Sequence, residues 1–256
     1  MGKPLVQTGQ FRGIRKQPLH NVLVYAPTLI WVNQGHKQLW WHDTALDFTQ
    51  SDWLAIPASQ YLTFVNVPDQ ILFHSRTLTF LESPPQAWVE ESVQSALSDE
   101  PRIHVTQPLA YCFDVMTDMV ANALSEETQR QFLMGFYAEL KQAGVLHLLF
   151  PGEGQSLREK LSRYLSVNPG DDHKIEVVSG HLSMSRATMN RKLAAEGTSF
   201  RQVLAEVRMG YALSLIQESR SQLDVALACG YQSEARFSSR FKQQFGLTPK
   251  QYVQTL

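Results

Sequence analysis

The chain has no apolar run that could cross a bilayer. Its longest, such as Val145–Phe150, fall far short of the ~20 residues a membrane-spanning helix requires. After Met1-Gly2-Lys3-Pro4 the sequence turns polar, without the apolar core of a secretory signal. Cysteine is scarce: Cys112 and Cys229 lie 117 positions apart and form no metal-type pair. There is no His-x-His, nucleophile elbow, phosphate loop or paired-carboxylate motif, and Gly152-Glu153-Gly154 is too short for a phosphate cradle. Charged residues make up only 18% and hydrophobic ones 43%, which excludes a disordered or collagen-like chain. A cytoplasmic protein without membrane partner, metal or cofactor is expected, its 256 residues allowing one large domain or two modest ones.

What is present is unevenly distributed. Residues 1–150 carry 9 Lys/Arg against 14 Asp/Glu, whereas residues 151–256 carry 14 against 10. Such a split points to a polyanion partner for the basic half if its cations share one face, and otherwise to ordinary surface variation. The first hundred residues hold short runs rich in Val, Ile, Leu, Thr and aromatics: Asn21–Tyr25, Thr28–Val32, Gln38–Trp41, Trp53–Ile56, Tyr61–Val67 and Gln70–Phe80. Turn residues separate them, among them His42-Asp43 and Pro68-Asp69, so a β-barrel or sandwich is predicted to about residue 105. Asp43, Asp47 and Asp52 predict a solvated or looped stretch over Leu39–Asp52.

Beyond Pro84-Pro85 the period changes. Apolar positions 109, 113, 116, 120 and 124, then 132, 133, 136, 137 and 140, predict two amphipathic helices, with Ser125 and Thr128 as capping residues. Either they form a lid on the β unit or a seam for a homodimer. Pro151-Gly152-Glu153-Gly154 marks the boundary between domains 1–150 and 151–256, and the second reads as helical to its end.

That second half contains an internal repeat. Ser185–Leu193 aligns with Ser233–Phe241 at an offset of 48, with Met189 and Leu193 answering Phe237 and Phe241. Each copy follows a short apolar helix and a tight turn, giving two helix-turn-helix units, 174–196 and 223–245. Residues four apart share a helix face, so these apolar pairs dock each second helix on its first. The opposite faces carry Arg186, Ala187, Asn190 and Arg191, then Ala235, Arg236, Ser238 and Ser239. Arginine can grip guanine and asparagine adenine through two hydrogen bonds each. Lys192, Arg240 and Lys242, with Ser185, Ser233 and Ser238, suit phosphates. The stripe of Phe200–Gln217 predicts a connector helix of ~27 Å, which suits two reading helices in successive major grooves about 34 Å apart. Gly210 is its weak point.

The segment Leu223–Val253, with Ala226-Leu-Ala-Cys-Gly-Tyr231, Phe237-Ser-Ser-Arg-Phe-Lys242 and Phe245-Gly-Leu-Thr-Pro249, resembles the signature of AraC/XylS-type transcription regulators. Leu182–Phe200 is similar to that module's first unit, and the resemblance covers about 155–256. It implies sequence-specific binding of double-stranded promoter DNA by an activator that works with RNA polymerase. Base contacts map to Ala187, Asn190, Arg191, Ala235, Arg236 and Ser239, the last departing from the arginine often found there. The amino-terminal half resembles, more loosely, the cupin-like sensor of these regulators. The fold class expected is therefore α+β in two domains.

Two readings of that sensor stay open. Trp31, Trp40, Trp53, Phe64 and Phe73 either line a pocket for a small apolar effector or form a solid core. The rival to a regulator is a cupin-type metalloenzyme with an accessory helical domain. Against it, His36 and His42 are six apart and His20, His74 and His104 are scattered.

Overall fold

The computed structural model of the chain describes residues 5–42, 44–122, 124–152 and 155–256. Asp43 of the expected turn, with Glu153 and Gly154 of the expected linker, lie outside the described residues. Nine strands form two antiparallel sheets: β1 (Val6–Gly13), β2 (Gln17–Val24), β3 (Thr28–Gln34), β4 (His36–Trp41), β5 (Thr44–Phe48), β6 (Asp52–Ile56), β7 (Gln60–Val67), β8 (Phe73–Phe80) and β9 (Arg102–His104). One sheet runs β1-β8-β3-β6-β9 and the other β2-β7-β4-β5.

The strand sequences explain the layering. In β3 and β6 both faces are buried, so these strands read as unbroken apolar runs. Ile30, Val32, Leu54 and Ile56 point between the sheets, where they meet Leu39, Phe48, Leu62 and Phe64. Leu29, Trp53 and Ala55 point the other way, beneath helices α2 (Gln107–Ala121) and α3 (Glu126–Gln142). Phe113, Met116, Leu133, Phe136 and Leu140 meet them there, so the apolar stripes of both helices serve as a lid on the β unit. Ser125 caps α3 by accepting from the Thr128 amide.

Three elements depart from the sequence expectation. Strand β1 stands where no strand is predicted; alternation in Val6–Gly13 is masked by its small and polar residues, but it pairs fully with β8. Strand β5 occupies the stretch expected to loop, because Asp47 faces outward on an edge strand that still buries Phe48. Helix α1 (Gln86–Gln94) interrupts the β-rich region, starting directly after Pro85 and burying Val89.

The rest is helical: α4 (Leu157–Leu165), α5 (Ile175–His181), α6 (Arg186–Ala195), α7 (Phe200–Gln217), α8 (Gln222–Ala228), α9 (Glu234–Phe245) and α10 (Pro249–Val253). Helix α7 is the common spine. Its first half gives Phe200, Val203 and Val207 to a core shared with α4, α5 and α6. Its second half gives Met209, Ala212, Leu215 and Ile216 to a core shared with α8, α9 and α10. The second core runs on into the space between the sheets, since α7 packs on β1 and β2, one edge strand of each. A covered edge cannot recruit a foreign strand.

Candidate nucleic-acid interface

The two turns use the same backbone device with different residues. In the first unit Ser183 adopts φ +55°, and in the second Gly230 adopts φ +74°. The left-handed residue closes the preceding helix: the next amide, of Met184 or Tyr231, bonds back to Ser179 or Ala226. Counted from these residues the repeat offset is 47, but from the caps Ser185 and Ser233 it is 48, so the second turn is one residue longer. Met189, Leu193, Phe237 and Phe241 are fully buried, which fixes the rotation of α6 and α9.

That rotation leaves Ala187, Asn190 and Arg191 exposed on α6, and Ala235, Arg236 and Ser239 exposed on α9. Lys192 and Lys242 are exposed beside them. Other candidates sit differently. Arg186 is exposed but reaches back to Glu176 of α5 at 2.7 Å, a surface pair worth about 0–1 kcal/mol that a stronger partner can displace. Ser185 and Ser233 spend their hydroxyls on their own helices, accepting from Thr188 and Arg236. Ser238 is half-buried. Glu234 accepts from the Gln222 side chain at 3.2 Å.

Arg240 lies one turn beyond Arg236 on α9, at the border of the exposed face. It sits half-buried in a cleft with Asn21, Tyr61 and Arg201, bonded to Gln243 at 2.9 Å. Arg240, expected to hold a phosphate, thus sits beside the β unit, because α9 also rests on β2, where Gln244 donates to the Asn21 carbonyl at 2.7 Å.

The β unit holds a cavity of about 190 Å³ between its sheets, closed on one side by Gly210, Leu213 and Ser214 of α7. Of the five aromatics expected to line a pocket, Phe64 does so. Phe73 is buried in the adjoining core. Trp53 is buried under the helical lid, with Trp31 edge-on to it at 5.8 Å, and Trp40 is 46% exposed. Trp31 and Trp53 face away because β3 and β6 have a second buried face, whereas Trp40 lies on the outer face of β4. Gly210, read as a flaw in the connector, borders the cavity, and a Cβ there would meet nothing within 4 Å.

Lys37 was missed by sequence reading, although its alternation with Leu39 along β4 turns it inward. It is 3% exposed and sits 3.5 Å over the Phe64 ring. Burial pushes its pKa down from 10.5 to about 7. Among the residues lining the cavity no carboxylate balances it; the other titratable one is Tyr25, which bonds Gln7 and whose pKa burial raises. Among the described residues no three His, Cys, Asp or Glu side chains converge as a metal site.

A Helix-turn-helix domain model matches residues 178–255. The Porin thermoregulatory protein EnvY of Escherichia coli strain K12 is 32% identical over 115 residues, 44% of this chain and 46% of that protein. The Urease operon transcriptional activator of Escherichia coli is 31% identical over 121 residues, 47% of this chain and 40% of that protein. The chain thus spans less than half the length of these two relatives. Among solved structures, unsaturated fatty acid bound ToxT from Vibrio cholerae strain SCE256 superposes with a TM-score of 0.59 at 16% identity, covering 98% of this chain and 95% of that one. At that identity the likeness is one of fold, and it extends over both halves. From signature, repeat and domain match together, the carboxy-terminal segment is a tandem helix-turn-helix domain of the AraC/XylS type.

Proposed function

We propose that the chain is a one-component transcription regulator that reads promoter DNA through α6 and α9 and takes an apolar carboxylic acid into its β unit. The observation that carries the first part is the pair of exposed faces, Asn190 with Arg191 and Arg236 with Ser239, held on one spine helix. In this reading Arg191 and Asn190 contact bases, Arg236 does so in the neighbouring groove, and Lys192 and Lys242 hold phosphates. The name of the urease operon relative supports activation, and RNA polymerase is the partner an activator of this reading would engage. Genome-wide recovery of bound DNA, followed by anisotropy titration of the recovered fragments, tests it. Failure to bind any duplex at low salt would sink the reading.

The ligand part rests on Lys37, an amine in an apolar cavity whose lining offers no carboxylate. A carboxylic acid supplies the missing charge, and its chain suits Leu19, Val24, Ile30 and Leu62 around it. The fatty acid named with ToxT agrees in chemical class. Calorimetric titration with decanoate against decanol isolates the head group; equal binding of both, or of neither, contradicts the assignment.

A further inference from the structure

Lys37 is one end of a hydrogen-bonded chain that leaves the sensor. Its amine donates to Asn66 Oδ1 on β7. Asn66 Nδ2 donates to Gln17 Oε1 on β2 at 3.0 Å. Gln17 Nε2 donates twice, to the Arg12 carbonyl at 2.9 Å and to Thr255 Oγ1 at 3.0 Å. Thr255 follows α10, the last helix of the DNA-binding segment. Its hydroxyl donates to the Tyr252 carbonyl at 2.6 Å, and its own carbonyl accepts from the amides of Ile14 and Arg15 at 2.8 and 3.2 Å. A parallel link from α7 arrives at the same place: Gln217 exchanges two hydrogen bonds with the Arg12 backbone and donates to the Tyr252 hydroxyl.

This chain is built into the fold. Gln17, Asn66 and Lys37 are 0%, 2% and 3% exposed, so none of them has water as an easy substitute partner. Gly13, closing β1, makes room for it: a Cβ there would lie 2.4 Å from Gln17 Nε2. Gln17 engages both of its amide atoms, so turning it breaks bonds to β7, to Arg12 and to Thr255 together. Buried groups linked this way rearrange as a set.

We propose that Lys37 and Thr255 are the two ends of a relay, through which capture of the Lys37 amine by a carboxylate slackens the hold of the β unit on the DNA-binding segment. A carboxylate outcompetes an amide oxygen for an ammonium because the charge-assisted bond is roughly twice as strong. Asn66 then loses the donor that orients it, and its own bond to Gln17 loses direction. Gln17 releases Thr255, and the amides of Arg12, Ile14 and Arg15 lose their partners next. The ligand arm of this mechanism rests on the cavity reading above; the relay itself does not.

Amide hydrogen exchange on the full chain tests both separately. Lys37→Met, with no ligand added, should speed exchange at Arg12, Ile14 and Arg15 by about tenfold and leave Met189 and Leu193 of α6 unchanged. Decanoate should do the same to the wild type, and decanol should not. In Gln17→Leu these amides should already exchange fast, with decanoate adding nothing although it still binds. Thr255→Val, which exchanges only the half-buried hydroxyl for a methyl group, should reproduce that uncoupling if Gln17→Leu fails to fold. Full protection in Lys37→Met, or an equal response to decanoate in the uncoupled variants, overturns the relay. If decanoate does not bind the wild type, the cavity reading falls and Lys37→Met alone decides the relay.

Discussion

Tyr61 on β7 donates to Glu206 on α7 at 2.7 Å, while the other carboxylate oxygen accepts from Arg158 of α4 at 2.8 Å. One side chain on the spine helix thus joins the β unit to the first helix of the DNA-binding half. Arg158 also lies over the Tyr61 ring, 4.7 Å from its centre. With side chains 4% and 14% exposed, the ion pair is shielded from solvent.

Removing one partner of such a pair leaves the other buried and unbalanced. Glu206→Ala should therefore cost about 3–5 kcal/mol in urea denaturation. Glu206→Gln keeps an acceptor for Tyr61 and should cost about half as much or less. Equal losses in the two variants would mean that the charge, which both remove, holds the junction, and not the packing or the Tyr61 hydrogen bond that glutamine keeps.

On DNA, the exposed cations should separate into two classes. Arg191→Ala should cost about 1–3 kcal/mol on the specific site and blur preference at one base position. Lys242→Ala should weaken specific and random duplexes alike and flatten the salt slope by about one unit. Arg240→Ala should leave that slope unchanged, because its side chain faces the cleft with Asn21 and Tyr61. Anisotropy titrations across a salt series distinguish all three, and a slope change in Arg240→Ala would return it to the phosphate set.

Ser183 holds a left-handed backbone at φ +55° that glycine adopts without steric cost, as Gly230 does at the matching point. Ser183→Gly should raise stability by about 0.5–1 kcal/mol, and Gly230→Ala should lower it by at least that much. The second variant carries an added clash, since a Cβ at Gly230 lies 2.6 Å from an Arg208 guanidinium nitrogen. Thermal melts of the two variants check the signs.

Legibility in the sequence followed how local each determinant was. Helices α6 and α9 were fully legible because Met189, Leu193, Phe237 and Phe241 carry a four-residue spacing and Ser185 and Ser233 announce their caps. The half-burial of Arg240 was not legible because the surface beside it belongs to β2, far away in the chain. The tryptophans stayed open between pocket and core for a related reason: Trp53 is as apolar in sequence as a cavity residue, and only the lid of α2 and α3 assigns its face. Lys37 reads as a surface cation until the pairing of β4 with β7 turns its side chain inward toward Asn66.

The same lysine sets a pH dependence of defined sign. In the unfolded chain it titrates near 10.5, whereas burial in the folded β unit brings it down to about 7. Between these values the unfolded state binds the proton and the folded state does not, so stability rises with pH, by at most about 1.4 kcal/mol per unit. Below about 7 both states are protonated, and the full cost of the buried charge persists without further change. Methionine at this position has no proton to lose and suits the apolar walls. Lys37→Met removes this titration together with the donor to Asn66, so its stability relative to the wild type should fall from about pH 7 to about pH 10 as the wild type recovers. Urea midpoints for both proteins at several pH values measure that gap; a constant difference across the range would mean that Lys37 stays charged in the folded state.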